Sequence, residues 1–215
     1  MKRLDWYFDF ISPFSYLQSA LLDRIAEHAE VRLRPVLFAG LLDHWGTIGP
    51  AELATKRIWT YEHCVWLAHR HGIPFTMPSA HPFNPLPLLR LSIAVGNTRE
   101  SVARLFRFVW QEGHTPADGD AWDALLDEFR IDEEKLRTAE VKTSLRDNGA
   151  DAIAAGAFGV PTSVVDGRLF WGFDATEMVI DYLRDDALFD SATMQRAADT
   201  PTGVTRPGVR GGGAA

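Results

Sequence analysis

The chain has 215 residues, 46% of them hydrophobic and 24% charged, with a formal net charge of −7 and a single cysteine. This is the composition of one ordinary globular domain, or of one domain carrying a large insertion. The acidic balance argues against nucleic-acid binding, and no apolar run reaches the roughly 18 residues of a membrane span. Met1-Lys2-Arg3-Leu4-Asp5 reaches an aspartate before any signal-peptide core forms, so the expected setting is cytoplasmic.

Leu4 to Phe10 is rich in aromatics, stops at Ser12-Pro13 and predicts a buried strand. Serine is a favoured N-cap and proline suits the first helical position, so a helix is expected from Pro13 to about Ala29. Leu17, Leu21, Leu22 and Ile25 supply its apolar face. Val31 to Phe38 alternates as a second strand, and strand–helix–strand favours a parallel βαβ unit. Gly40 to Pro50 is expected to be a loop, and Ala51 to His71 a helix ending at Gly72.

Ile73 to Pro87 holds five prolines and cannot be one regular element. Leu88 to about Ala157 shows helical periodicity with breaks near Asn97, Gly113 and Arg130, which predicts three or four helices. Thr162–Val165 and Leu169–Trp171 are short strands joined by Asp166-Gly167, a strong hairpin signal. Asp174 or Thr176 is expected to cap a last helix running to about Leu183. From Asp190 onward the chain lacks the apolar residues that offset chain entropy, and residues 191–215 are expected to be a disordered tail.

Strand–helix–strand, a helical block, then two strands and a helix is the order of an α/β thioredoxin-like fold with a large all-helical insertion. Residues 1–40 and 157–190 would form the thioredoxin-like part and 41–156 the insertion. The lone Cys64 excludes an intrachain disulfide, a Cys-x-x-Cys pair and a cysteine-rich metal site. It is expected to be a small buried hydrophobe. His63, His69 and His71 lack carboxylates at ligand spacing, so no metal is expected and they read as packed or solvated helix residues.

Tyr7-Phe8-Asp9-Phe10-Ile11-Ser12-Pro13-Phe14-Ser15-Tyr16-Leu17, Gly159-Val160-Pro161-Thr162, Phe170-Trp171-Gly172-Phe173-Asp174 and His81-Pro82-Phe83-Asn84-Pro85 carry a family resemblance. The chain resembles the 2-hydroxychromene-2-carboxylate isomerases, relatives of kappa-class glutathione transferases and of bacterial disulfide oxidoreductases of the DsbA type. The resemblance spans about Leu4 to Leu188. It implies a glutathione-dependent isomerase acting on a small aromatic unsaturated 2-oxo acid or its cyclic hemiketal, with glutathione as cofactor and a homodimeric assembly. In that chemistry a thiolate adds to an unsaturated carbon, the ring opens, the former double bond rotates, and elimination returns glutathione unchanged. A kappa-like transferase is the alternative, and a non-catalytic glutathione-binding module a third. Disulfide exchange is excluded, because Ser12 and Ser15 stand where a redox enzyme carries its cysteines.

Ser12 is the expected catalytic residue, donating a hydrogen bond to the thiolate; as a serine at a helix start it is also a plain N-cap. Lowering a thiol pKa by about two units takes about 2.7 kcal/mol. A helix end supplies roughly 0.3–1 kcal/mol, or about 2 when partly buried, and a hydrogen bond to a charge adds roughly 1.5–3. The two together suffice where the dipole alone does not. Pro161 holds the position of the cis-proline of thioredoxin-like folds, with a trans proline in an ordinary turn as the alternative. A cis bond would leave the Val160 backbone free to pair with an extended peptide, by the resemblance the cysteinyl part of glutathione.

By the resemblance, Trp171, Gly172, Phe173 and Asp174 receive the γ-glutamyl end, with Asp174 facing its ammonium unless it is merely a cap. Lys56 would face the glycyl carboxylate, or simply be solvated. Gly46 to Pro50 departs from the Asn-Lys-Pro of kappa-type relatives. His81 is a candidate substrate contact, with turn chemistry as its other explanation, and Asn84 a weaker one. Trp45, with Trp59 and Trp66, could line an aromatic pocket or pack in the core.

Overall fold

The computed structural model describes residues 1–204. The first strand, β1 (Lys2–Phe8), leads through Asp9–Ile11 into helix α1 (Pro13–Ser19) and then α2 (Leu22–Ala26). Strand β2 (Ala29–Pro35) returns parallel to β1, pairing Lys2 with Ala29 and Phe8 with Pro35. Six helices follow: α3 (Phe38–Trp45), α4 (Ala54–His71), α5 (Leu86–Ala94), α6 (Arg99–Trp110), α7 (Gly119–Phe129) and α8 (Ala139–Ala154). The hairpin β3 (Thr162–Val165) and β4 (Arg168–Trp171) completes a sheet of order β2-β1-β3-β4. Helices α9 (Thr176–Arg184) and α10 (Ala192–Ala198) end the described chain. This is a DsbA-like thioredoxin fold, an α/β sheet with its helices inserted after the second strand, as the element order predicts.

Alternation along β1 sorts the core into two faces. Leu4, Trp6 and Phe8 point into the larger apolar cluster, where Phe106 of α6 lies 4.7–6.2 Å from the rings of Trp6, Phe8, Phe10 and Tyr16. Tyr7 points the other way, into a smaller cluster with Leu41 of α3, Ala152 of α8, Ala157 and Val160. The sheet and the inserted helices therefore share one core rather than keeping separate ones.

Several boundaries differ from expectation for identifiable reasons. The first strand ends at Phe8, not Phe10, because the Asp9 carboxylate takes the Ile11 and Phe38 amides and turns the chain. The helix expected over Pro13–Ala29 is two short ones: Leu21 closes a tight turn onto the Gln18 carbonyl, and Ala29 joins β2. The second strand stops at Pro35. The expected loop from Gly40 is largely helix α3, for an internal glycine costs a helix only about 1 kcal/mol. That helix ends at Gly46, in the left-handed conformation.

Helix α4 starts three residues later than expected, after a 3₁₀ turn over Pro50–Glu52, and ends at a left-handed Gly72 as predicted. Asp166 and Gly167 both have positive φ, the backbone of a tight hairpin. Neither Asp174 nor Thr176 caps the last core helix through its side chain; a 3₁₀ turn over Phe173–Ala175 leads into α9 instead. The expected disordered tail contains α10, capped by Ser191 donating no proton but accepting from the Met194 amide. The remainder of that tail, from residue 205, lies outside the described residues.

Because Phe106 bridges sheet and insertion, Phe106→Ala should cost about 3–5 kcal/mol. Urea unfolding followed by circular dichroism and tryptophan fluorescence should shift as one transition. Two separate transitions, with only one moved, would contradict a shared core.

Candidate functional site

Sheet register brings the site together. Tyr7 near the end of β1 pairs with Thr162 at the start of β3, and Thr162 pairs with Trp171 at the end of β4. Ser12, Val160-Pro161 and Trp171–Asp174 thus leave the sheet at the same end. The Val160–Pro161 peptide is cis.

Ser12 is 6% exposed and has extended backbone (φ −90°, ψ 115°), as an N-cap should. Its Oγ accepts from the Ser15 amide at 3.1 Å and lies 3.4 Å from the Val160 carbonyl oxygen. The first bond fixes the oxygen; the second is long enough to commit the hydroxyl proton only weakly. Ser15 Oγ is buried without a hydrogen-bond partner among the described residues.

Beside this turn opens a cavity of about 730 Å³, within the usual range for small-molecule sites of about 300–1,000 Å³. One wall is Phe14, Val160 and Trp171–Asp174; the other is a stripe of α4 at helical spacing, Trp59, His63, Trp66, Leu67, Arg70 and His71. Phe14 lies 6.0 Å from His63, and Phe173 lies 5.1 Å from His71, so α4 runs along the site. The histidines expected to be ordinary helix residues thus include two cavity-lining ones. Their i, i+4 and i+7 spacing with the tryptophans was the available signal.

Gly172 could not be another residue without strain. Its φ is 97°, and a Cβ there would stand 2.5 Å from Asp174 Oδ1. Its carbonyl accepts from Gln18 Nε2 at 3.0 Å, while Gln18 Oε1 accepts from the Trp6 indole at 2.6 Å. Gln18 Nε2 also donates to Thr176 Oγ1 at 3.0 Å. This 2%-exposed amide, a polar residue inside an apolar helix face, ties α1 to the Gly172–Thr176 turn. Asp174 is exposed and faces the cavity without capping a helix.

Four expected residues, Lys56, Trp45, Asn84 and His81, lie outside the cavity lining. Lys56 is exposed in the first turn of α4, on the stripe's side but outside the cavity lining. Trp45 is a support rather than a wall: its indole donates to the Ala157 carbonyl at 2.9 Å. Asn84 Oδ1 accepts from the Leu86 amide, which is turn chemistry. Cys64 is fully buried, and burial pushes its thiol up to about 12, which leaves it inert.

His81 does not line the cavity either, and both its ring nitrogens are engaged. Nε2 is 2.8 Å from the Ile11 carbonyl, which can only accept, so Nε2 carries the proton. Nδ1 then accepts from the Tyr61 hydroxyl at 2.6 Å. His81 therefore anchors the proline-rich loop and α4 to the residue preceding Ser12. Asp9 supports the same turn from within: burial pushes its carboxyl up to about 7, against the Phe38, Ile11 and Phe10 amides that lower it.

Desolvation lowers the His81 pKa below its ordinary 6.5. Its contribution to stability is present above that value and lost as pH falls below it. Asp9 has the opposite sign: its contribution is full below 3.8 and is lost as pH rises through about 7. Comparison of wild type with His81→Gln isolates the first effect. Their difference in urea midpoint should shrink as pH falls from about 7.5 to about 5. A difference constant with pH would contradict a neutral His81.

A DSBA-like thioredoxin domain matches residues 3–184. The 2-hydroxychromene-2-carboxylate isomerase of Sphingobium xenophagum is 27% identical over 194 residues, 86% of this chain and 99% of that protein. Glutathione S-transferase kappa 2 of Caenorhabditis elegans is 27% identical over 208 residues, 86% of this chain and 92% of that protein. A solved 2-hydroxychromene-2-carboxylate isomerase superposes with a TM-score of 0.70 at 23% identity, covering 92% of this chain and 99% of that chain. These are the groups that the sequence motifs resemble. With the match covering the sheet, the inserted helices and the whole cavity, the chain belongs to the DSBA-like thioredoxin domain family.

Proposed function

We propose that the protein is a glutathione-dependent isomerase of the 2-hydroxychromene-2-carboxylate type, taking an aromatic unsaturated 2-oxo acid or its cyclic hemiketal. The observation that carries this is the Ser12 hydroxyl: its oxygen is fixed by the Ser15 amide, its proton is only weakly held, and it adjoins the cavity through Val160. The isomerase and kappa-transferase relatives support the same reading.

The residues present fit glutathione. Asp174 offers a carboxylate that no protein cation pairs with among the described residues, suited to an ammonium. Val160 offers backbone beside Ser12, and Trp171, Gly172 and Phe173 frame the γ-glutamyl end. Lys56, at the far end of the α4 stripe, is left for the glycyl carboxylate. When bound, glutathione supplies a thiolate nucleophile that is regenerated at the end of each turnover. Ser12 donates its hydrogen bond to that sulfur. Because α1 is only seven residues long, the hydroxyl rather than the helix end carries most of the preference for the anion. Trp59, Trp66 and Phe14 give the substrate ring apolar and aromatic walls.

In this proposal residues 1–40 and 157–190 form the thioredoxin-like part that holds the thiol and the γ-glutamyl ammonium, and 41–156 form the helical insertion that covers the substrate and lends Lys56 to the glycyl end. The assembly is a homodimer in the cytoplasm, where glutathione keeps thiols reduced. His81 and Trp45 act behind the wall, not on the substrate.

The test is isomerisation of 2-hydroxychromene-2-carboxylate with thiol content followed in parallel. Wild type should isomerise only with glutathione present and without consuming thiol. Ser12→Ala should lower kcat/KM by about ten- to a hundred-fold. Steady thiol loss with a chlorinated electrophile, and no isomerisation, would indicate a kappa-like transferase. Glutathione binding with neither activity would leave a binding module.

A further inference from the structure

Two opposite charges face the cavity without pairing with each other. Asp174 stands at its sheet-side wall. Arg70, in the last turn of α4, stands on the other, with its guanidinium 5.4 Å from the centre of the Trp66 ring and no carboxylate partner among the described residues. Glu177, the other acid of the lining, is taken: both of its oxygens accept from Arg24, at 2.6 and 2.9 Å. A separated cation and anion on facing walls are complementary to a zwitterion.

The direction of α4 says which end of a tripeptide they meet. Ring contacts put His63 beside Phe14, two residues from Ser12, and put His71 beside Phe173. Arg70 is seven residues beyond His63, about 10 Å along the helix at 1.5 Å per residue. Lys56 is seven residues before it, about 10 Å the other way. A thiol held at Ser12 therefore has Arg70 and Asp174 toward one end of the peptide and Lys56 toward the other. The two backbone positions are about 20 Å apart and three extended residues cover about 10–11 Å, so the rest of the distance falls to the long side chains of Lys56 and Arg70.

We propose that Arg70 receives the α-carboxylate of the γ-glutamyl residue whose ammonium Asp174 receives, an inference that rests on the glutathione reading above. Together the two select an amino-acid head, and Arg70 is the residue that distinguishes glutathione from thiols lacking the α-carboxylate. Its planar fork can take both carboxylate oxygens, and the Trp66 ring 5.4 Å from the guanidinium carbon adds a cation–π contact.

The test is calorimetric binding of glutathione, and of the analogue with 4-aminobutyryl in place of γ-glutamyl, which lacks only the α-carboxylate. Arg70 is exposed, so Arg70→Gln should fold as wild type does, which circular dichroism checks. Wild type should bind glutathione about ten- to a hundred-fold more tightly than the analogue. Arg70→Gln should bind the two alike, and Arg70→Lys should recover part of the difference. If Arg70→Gln binds glutathione as wild type does, or weakens both ligands by the same factor, the assignment of Arg70 is overturned while the glutathione reading stands. If wild type does not bind glutathione at all, both are overturned.

Discussion

The site depends on the pairing of Tyr7 with Thr162 and of Thr162 with Trp171 across three strands. That register puts the end of β1, the start of β3 and the end of β4 side by side, and with them the hydroxyl, the peptide edge and the acidic turn. Side chains alternate along a strand, so a slip of one residue would turn Trp6 and Phe8 out of the larger core. The apolar residues that stabilise the sheet therefore also fix the geometry of the cavity. No separate device is needed to bring Ser12 near Val160.

Around this frame lies a second layer of buried polar bonds. Gln18 links β1, α1 and the Gly172–Thr176 turn; Asp9 holds the chain between β1 and α1; His81 ties the proline-rich loop to Ile11. Each bond adds about 0.5–1.5 kcal/mol, but an orphaned buried partner loses about 1–3. The asymmetry makes these residues better at specifying one arrangement than at raising stability. It also separates the residues that hold the site from those left with free valence. Ser12, Asp174 and Arg70 are the latter, and all three stand at or beside the cavity.

Much of this was legible in the sequence because it is local. Ser12-Pro13 announces a helix start, Asp166-Gly167 a hairpin, Gly72 a helix end, and the motif segments carry the family. What was not legible is where side chains spend their hydrogen bonds. His81 lies in a proline-rich loop next to Asn84, and nothing local says that both of its nitrogens are occupied by Tyr61 and Ile11. Trp45 looks like a pocket residue until its indole is found on Ala157. Gly40 hid α3, and the unbroken helical spacing of Leu17, Leu21, Leu22 and Ile25 hid the break after α1. Arg70 carries no local signal, for an arginine near a helix end is ordinary; its meaning comes from Asp174, 104 residues away in sequence.

The central claim is that the Ser12 hydroxyl holds a thiolate. It is tested most directly by the pH titration of the ultraviolet thiolate absorbance of glutathione bound to wild type and to Ser12→Ala. The account predicts a thiol pKa lowered by about two units in the wild type and returned most of the way to its free value in the variant. An equal shift in both proteins would contradict it, leaving Ser12 as an N-cap and moving the source of thiolate stabilisation elsewhere in the cavity.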